Sequence, residues 1–444
     1  MIAVLLAAPL LVWPALLNGY PLMFVDGGAY LAQTILGQTP WDKTPVYGPL
    51  IAAAHWHVSL WGAALAQGLV TSWAIWVTQR ALGGATPARH LAICAGLAAL
   101  TSLPWFAALI MPDVFAPLVA LALFALGFGA ARLTRVEMAG LVLLAAIGIA
   151  AHLSHLPIAL AVLVVVAVLT LRPAPVLRAA LPIVLAVGTL LALNLHLVGR
   201  AALSPHGSVF MLARLLDDGP AARLLRERCP GAGWHLCHFT AAFPMDSDTF
   251  LWNPDSPLNR NPDGSPRADA AVRMAPEASV IVGQTLRAYP LEVARAMAGN
   301  TLRQAVMATI DGMFTPEDLG DLATRIIPAG FPAREAASFR DGLQYRNALE
   351  AWGEPLRAPQ GLVLLLAALG AGFGLWRAAR ARWRDGAALV LCVLAALAAN
   401  AFVGGGLSKP HYRYQARIIW LLPLAAVLVA RPPRVTWPAA SPAR

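Results

Sequence analysis

Ten apolar runs, each near the length that crosses a bilayer as a helix, constrain this chain more than any other feature. The hydrocarbon core is spanned by about 20 apolar residues in a helix. Within lipid every backbone N–H and C=O needs a partner inside the segment, which leaves helices as the fitting form. The runs cover residues 2–17, 58–78, 91–110, 114–131, 138–152, 157–171, 179–198, 360–376, 386–402 and 418–430. Only 13% of the 444 residues are charged, about half the usual share of a soluble domain. The expected fold class is therefore an all-α integral membrane protein of about ten transmembrane helices. The run 2–17 lacks a basic start and a small-residue cleavage pattern before Asn18, so it is expected to be a retained span rather than a secretory signal.

Loops assigned alternately to two sides sort the basic residues. One side receives Arg80 with Arg89, Arg132 with Arg135, Arg172 with Arg178, Arg377, Arg380, Arg382 and Arg384, and Arg431 with Arg434. The other receives Lys43, Lys409, Arg413 and Arg417 in its short loops. The positive-inside rule then puts both termini in the cytoplasm. The segment 199–359 falls on the far side as a mostly helical insert between spans seven and eight. Its Pro- and Asn-rich stretches around 252–264 read as turns, and 291–309 carries helical periodicity. This divides the chain into an N-terminal membrane module, 1–198, whose first external loop is 19–57, an external domain, 199–359, and a C-terminal membrane module, 360–444.

The formal charge of +10 resides in loop arginines that orient helices, with no basic face interleaved with aromatics, which argues against a nucleic-acid partner. Cys94 and Cys392 fall within apolar runs. Cys229 and Cys237 frame a short polar segment, and an oxidising compartment would allow them a disulfide. His235 and His238 beside them lack a standard zinc spacing.

Three external loops carry the candidate chemistry. Asp26 follows the first span and reads either as a general base or metal ligand or as the cap of a short helix over 29–35. Asp113, in Met-Pro-Asp, reads as a cap of the fourth span or as a second functional carboxylate at the same membrane face. The last loop places Lys409, His411 and Arg413 beside Tyr412 and Tyr414 after three glycines, a donor set suited to phosphate or an interfacial belt. His152 and His155 share a predicted helix face and read as hydrogen-bonded interfacial histidines; Asn194 and His196 need partners inside the bundle. There is no phosphate-cradling Gly-x-x-x-x-Gly-Lys loop and no serine elbow.

On Asp26, the element Thr44-Pro45-Val46-Tyr47-Gly48, Asp113 and His411-Tyr412-Arg413-Tyr414, the chain resembles the polytopic GT-C glycosyltransferases. That resemblance implies a sugar transferase at the periplasmic face of a bacterial inner membrane. Its donor would be a polyprenyl-phosphate-linked sugar, and its acceptor an envelope lipid, glycan or protein. Asp26 and Asp113 would be catalytic, with a divalent cation, Mg or Mn, between them where the enzyme uses one. Lys409, His411, Arg413 and Tyr412 would hold the donor phosphate, and Tyr30, Tyr47 and Lys43 would position the loop or the acceptor. The chain departs from the family in following Asp26 with Gly27-Gly28 instead of a second acid, and in carrying its large external segment between spans seven and eight. The competing expectation is a transporter or lipid flippase with an external gating domain, although transporters place ionisable groups near the midplane.

Overall fold

In the computed structural model, which describes residues 1–430 except 311 and 318, the chain is all-helical. Among the described residues there is no β-strand, only the isolated bridges Leu22–Leu109 and Arg260–Pro266. Arg431 and Arg434, the sequence's marker for the last cytoplasmic end, lie outside the described residues.

Among the described residues, three helices are long and apolar enough to cross a membrane: Pro173–Val198, Glu350–Arg380 and Arg384–Gly406. The first, at 1.5 Å per residue, is about 39 Å long, which exceeds the roughly 30 Å hydrocarbon core. Less than a third of the apolar stretch of the first two is buried inside the protein. Leu181, Val184, Leu365, Leu369 and Phe373 point outward, the inverse of a soluble helix and the pattern that lipid contact selects.

The remaining runs fold as shorter or interrupted helices. Residues 2–17 divide into Ile2–Leu10 and Trp13–Asn18, with Pro9 inside the first and Pro14 in the first turn of the second; proline removes a helix donor and crowds the preceding turn. The run 91–110 likewise divides into Pro87–Leu100 and Leu103–Ala108, with Pro104 opening the second piece. The run 418–430 is cut at Trp420. Phe115–Phe128 is apolar on every face and almost wholly buried, as a central bundle helix must be. Arg135–Ala151, His155–Thr170, Pro173–Val198, Trp61–Ala81 and Arg384–Ala401 pack around it.

The two ends of that central helix carry different chemistry. At its C-terminal end Arg80 donates to the Arg132 carbonyl at 3.1 Å and pairs with Glu137 at 3.2 Å, and Arg132 pairs with Asp385 at 2.7 Å. At its N-terminal end Asp113, Ser154, Asn400 and Arg417 meet. The loops that the alternation assigned to opposite sides thus gather at opposite ends.

The segment 199–359 is not one unit. Helices Gly207–Asp217, Pro220–Arg228, Ser247–Trp252, Ala270–Ala288 and Pro290–Val306 enclose a core of their own. From Ile310 to Leu349 the apolar residues join the main core instead. There Tyr20 donates to Glu335 at 3.1 Å, and the Gln344 side chain brackets both backbone groups of Met23 at 3.0 and 2.7 Å. Short apolar pieces such as Ile327–Gly330 cannot close a core alone and bury against the first loop.

Cys229 and Cys237 are joined by a disulfide, whereas Cys94 and Cys392 are free and buried. Alkylation of denatured, unreduced protein should therefore label two of the four cysteines, and reduction should raise that to four by intact mass. Labelling of all four before reduction would contradict the bond.

Candidate active site

Asp26 and Asp113 converge because the chain segments that carry them are paired. Leu22 donates to the Ala108 carbonyl at 3.0 Å and Ile110 donates to the Leu22 carbonyl at 2.9 Å, which sets residues 22–26 alongside 109–113. The helix Val25–Ile35 starts one residue before Asp26, and neither Asp26 nor Asp113 makes a side-chain capping bond. The capping alternative is thereby removed for both. Gly27 explains its own position: a Cβ there would lie 2.7 Å from the Ile110 carbonyl oxygen, so only glycine permits this approach.

A ladder of ion pairs joins the carboxylates. Asp26 receives Lys43 on Oδ1 at 2.8 Å and Arg413 Nη2 on Oδ2 at 3.2 Å. Arg413 Nε stands 4.0 Å from Asp113 Oδ1, which receives Arg417 Nη1 at 3.2 Å. Lys43 also bonds to Asp42. Arg413 and Arg417 are four apart on the helix Tyr412–Ile419, the spacing that puts two side chains on one face. Arg417 is held by Asn400 at 2.9 and 3.2 Å and by Ser154 at 2.9 Å. The Arg413 guanidinium lies over the Phe24 ring at 4.1 Å, a cation–π contact that fixes its plane. Its Nη1 is buried with no hydrogen-bond partner.

Burial pushes the Asp26 carboxyl up, but Lys43 and then Arg413 outweigh it and hold the group well below the usual carboxylate range. Lys43 is raised above its ordinary value because the Asp26 and Asp42 charges overcome the penalty of its own burial.

The expected phosphate set does not act as one group. Arg413 joins the carboxylates, but Lys409 and His411 face the insert. Lys409 pairs with Asp246 at 2.5 Å and Asp248 at 3.0 Å, and His411 Nε2 reaches Asp248 at 3.2 Å. Tyr412 is exposed. The glycines ahead of this loop serve packing: a Cβ on Gly405 would lie 2.4 Å from the Asn300 carbonyl oxygen of the insert helix Pro290–Val306. Gln304 on that helix bonds both the N–H and the carbonyl of His411 at 2.8 Å.

Tyr30 and Tyr47 are fully buried with ring centroids 5.1 Å apart. Tyr47 donates to Gln67 at 2.6 Å. Both therefore position the loop and present no surface to an acceptor. Lys43 belongs to the ladder itself. His152 and His155 do not share a helix face, since Ala151 ends one helix and His155 begins the next; they bond to Ser154 and to the Gly148 carbonyl. Asn194 donates to the Ala202 and Leu203 carbonyls. Sequence reasoning left out Arg417, Asn400, Ser154 and Asp42. The four-residue spacing of two arginines at the head of an apolar helix was the available signal for the first.

No protein-family model, curated protein or solved structure matches the chain.

Two outcomes test this geometry. Removing one partner of a buried pair costs about 3–5 kcal/mol, so Arg417→Leu should lower Tm sharply, and Asp113→Leu/Arg417→Leu should recover part of it. An unchanged Tm in the single variant would show the pair to be dispensable. Asp246 and Asp248 are subject to the upward push of burial, overcome by Lys409 for the first and by His411 and Lys409 for the second; both end below their ordinary value. Their contribution is then fully present above the unfolded carboxylate pKa of about 3.9 and lost as pH falls through the lowered values. Amide exchange across 247–252, corrected for intrinsic rates, should rise as pH falls below about 4. It should rise at neutral pH in Asp246→Asn/Asp248→Asn.

Proposed function

We propose that the protein is a membrane glycosyltransferase that moves a sugar from a polyprenyl-phosphate donor to an envelope lipid, glycan or protein acceptor. The reading takes the ten apolar runs as ten crossings, continuous or paired with re-entrant pieces. Both termini are cytoplasmic and the insert is periplasmic at the inner membrane. The arginine-rich loops that meet at one end of the bundle support this orientation, and a disulfide in the insert suits an oxidising compartment. The observation that carries the function is the convergence of Asp26 and Asp113 on Arg413, which keeps a buried, unpartnered guanidinium nitrogen.

The transfer divides among these groups. The acceptor oxygen bonds to the anomeric carbon, and the carbon–oxygen bond to phosphate breaks with its electron pair leaving on the phosphate. The acceptor proton passes to Asp26. In its resting pairs Asp26 is a weak base, because Lys43 and Arg413 stabilise its anion. A donor phosphate competes for both cations, drawn by the unpartnered Nη1 of Arg413 once that buried nitrogen is uncovered. As they turn to the phosphate, Asp26 loses its counterions and gains basicity. The same cations then stabilise the charge on the departing lipid phosphate. Arg417 keeps Asp113 ionised and Arg413 aligned.

A divalent cation does not fit this donor set. Both Asp26 oxygens and Asp113 Oδ1 already accept from cations, and among the described residues no group of three or more His, Cys, Asp or Glu could hold a metal.

The test is transfer from a radiolabelled polyprenyl-phosphate sugar in membranes, alongside mass analysis of envelope glycans with and without the protein. Asp26→Asn should lower transfer by at least about a hundredfold, and Lys43→Met should raise KM for the donor. Undiminished turnover in Asp26→Asn, or glycan profiles that do not change when the protein is removed, would rule the proposal out. Substrate flux across vesicles without donor lipid would favour the transporter reading.

A further inference from the structure

A small cleft opens between the first external loop and the start of the insert, next to the ion-pair ladder. Its lining includes Thr39, Trp41, Asp42, Lys43, Asn194, Ser204 and His206, with a volume of about 120 Å³. Sites that enclose drug-sized ligands run to about 300–1,000 Å³, so this one accepts a single ring and excludes a nucleotide or a folded peptide.

Three features give that ring a chemical character. The first is aromatic. Trp41, Phe210 and Trp252 form a triangle with centroid separations of 5.0, 6.0 and 6.2 Å. A triangle, unlike a sandwich, leaves ring surface free; Trp41 lines the cleft and Trp252 is 49% exposed. Lys43 stands 6.0 Å from the Trp252 centroid and 2.8 Å from Asp26, so one ammonium separates this platform from the carboxylate. The second is polar. His206 lines the cleft, is only 7% exposed, and its Nδ1 is buried without a hydrogen-bond partner. Burial, and then Arg200, lower its pKa, which keeps the ring neutral and able to donate on one nitrogen and accept on the other. Asp42 has one oxygen on Lys43, and no hydrogen bond reaches the other among the described residues. The third is charge. Asp42 and Asp26 together offset Lys43, so the lining offers an anionic headgroup no net attraction.

We propose that this cleft is a subsite for one neutral pyranose ring, stacked on Trp41 and hydrogen-bonded by Asp42 and His206. The C–H face of a pyranose carries partial positive charge that the negative face of an indole attracts, and its hydroxyls both donate and accept, as the histidine and carboxylate require. The inference rests on the transferase reading for the sugar's purpose but not for its binding. The ring belongs to either the donor or the acceptor, both of which would meet Asp26 here.

Saturation-transfer NMR on the full chain in nanodiscs tests it. The probes are methyl glycosides of glucose, galactose, mannose, N-acetylglucosamine, rhamnose and arabinopyranose, with glycerol 3-phosphate as the anionic control. At least one glycoside should receive saturation. Trp41→Ala should weaken its binding by about three- to tenfold while Trp41→Phe, which keeps an aromatic face, preserves it, and His206→Phe should weaken it further. Preloading with a polyprenyl-phosphate sugar erases the signal if the cleft seats the donor's ring and preserves it if it seats the acceptor's. Silence from every glycoside, equal signals in Trp41→Ala, or saturation of glycerol 3-phosphate alone would overturn the subsite. Sugar binding without any transfer would instead sink the transferase reading and leave this one standing.

Discussion

Arg413 is shared by two carboxylates that come from separate segments of the N-terminal module, and this end of the helix bundle is organised around that sharing. An ionised carboxylate taken out of water is several kcal/mol too costly unless counter-charges and hydrogen bonds replace the solvent. Asp113 is 1% exposed, so its charge requires Arg417. Arg417 in turn requires Asn400 and Ser154 to occupy its remaining donors. Each partner arrives on a different element: the loop after the first helix pair, the head of the central helix, the turn before His155, the end of Arg384–Ala401, and the helix Tyr412–Ile419. The ladder is therefore a tie between modules as much as a reactive group. A phosphate that draws Lys43 and Arg413 away from Asp26 would also loosen that tie, which couples ligand binding to local rearrangement.

The insert is attached to this centre at three places with different physics. Lys409 and His411 meet Asp246 and Asp248 in solvent-accessible ion pairs, which are individually weak. Gln304 holds both backbone groups of His411, and Gly405 lets the two backbones come into contact. At the other end of the Ser247–Trp252 helix, Trp252 packs on Trp41 of the first loop. One short helix thus reaches from the loop that carries Lys409 to the loop that carries Trp41, with Lys43 between its Trp252 and Asp26. The close backbone packing is the strong attachment and the ion pairs the adjustable one.

The membrane-facing part follows a different rule. Its longest helices are apolar outward and only partly buried, because lipid replaces the protein core as the apolar phase. The interrupted helices near the carboxylates have non-helical backbone, but it is enclosed by protein, where its polar groups find partners. The breaks at residues 11–12 and 101–102 lie close to the paired segment that brings Asp26 and Asp113 together. Proline supplies the interruption, and the interruption lets a helix bundle carry a polar centre.

The amino-acid sequence by itself determined that the chain is helical and apolar, since that follows from run length and composition. It also singled out Asp26, Asp113 and Arg413, because acids and bases at the edge of apolar runs have few roles open to them, and it left the pairing of Cys229 with Cys237 conditional on an oxidising compartment. The tertiary structure alone decided which charges meet. Lys409 and His411, neighbours of Arg413 in the chain, turn to the insert, whereas Arg417, given no site role by the sequence, completes the buried pair. It also decided that Gly405 serves helix packing, that residues 310–349 leave the insert for the main core, and that Trp41 meets Trp252. Contacts of this kind join residues tens to hundreds of positions apart, and a local pattern of hydropathy or charge carries no information about such distances.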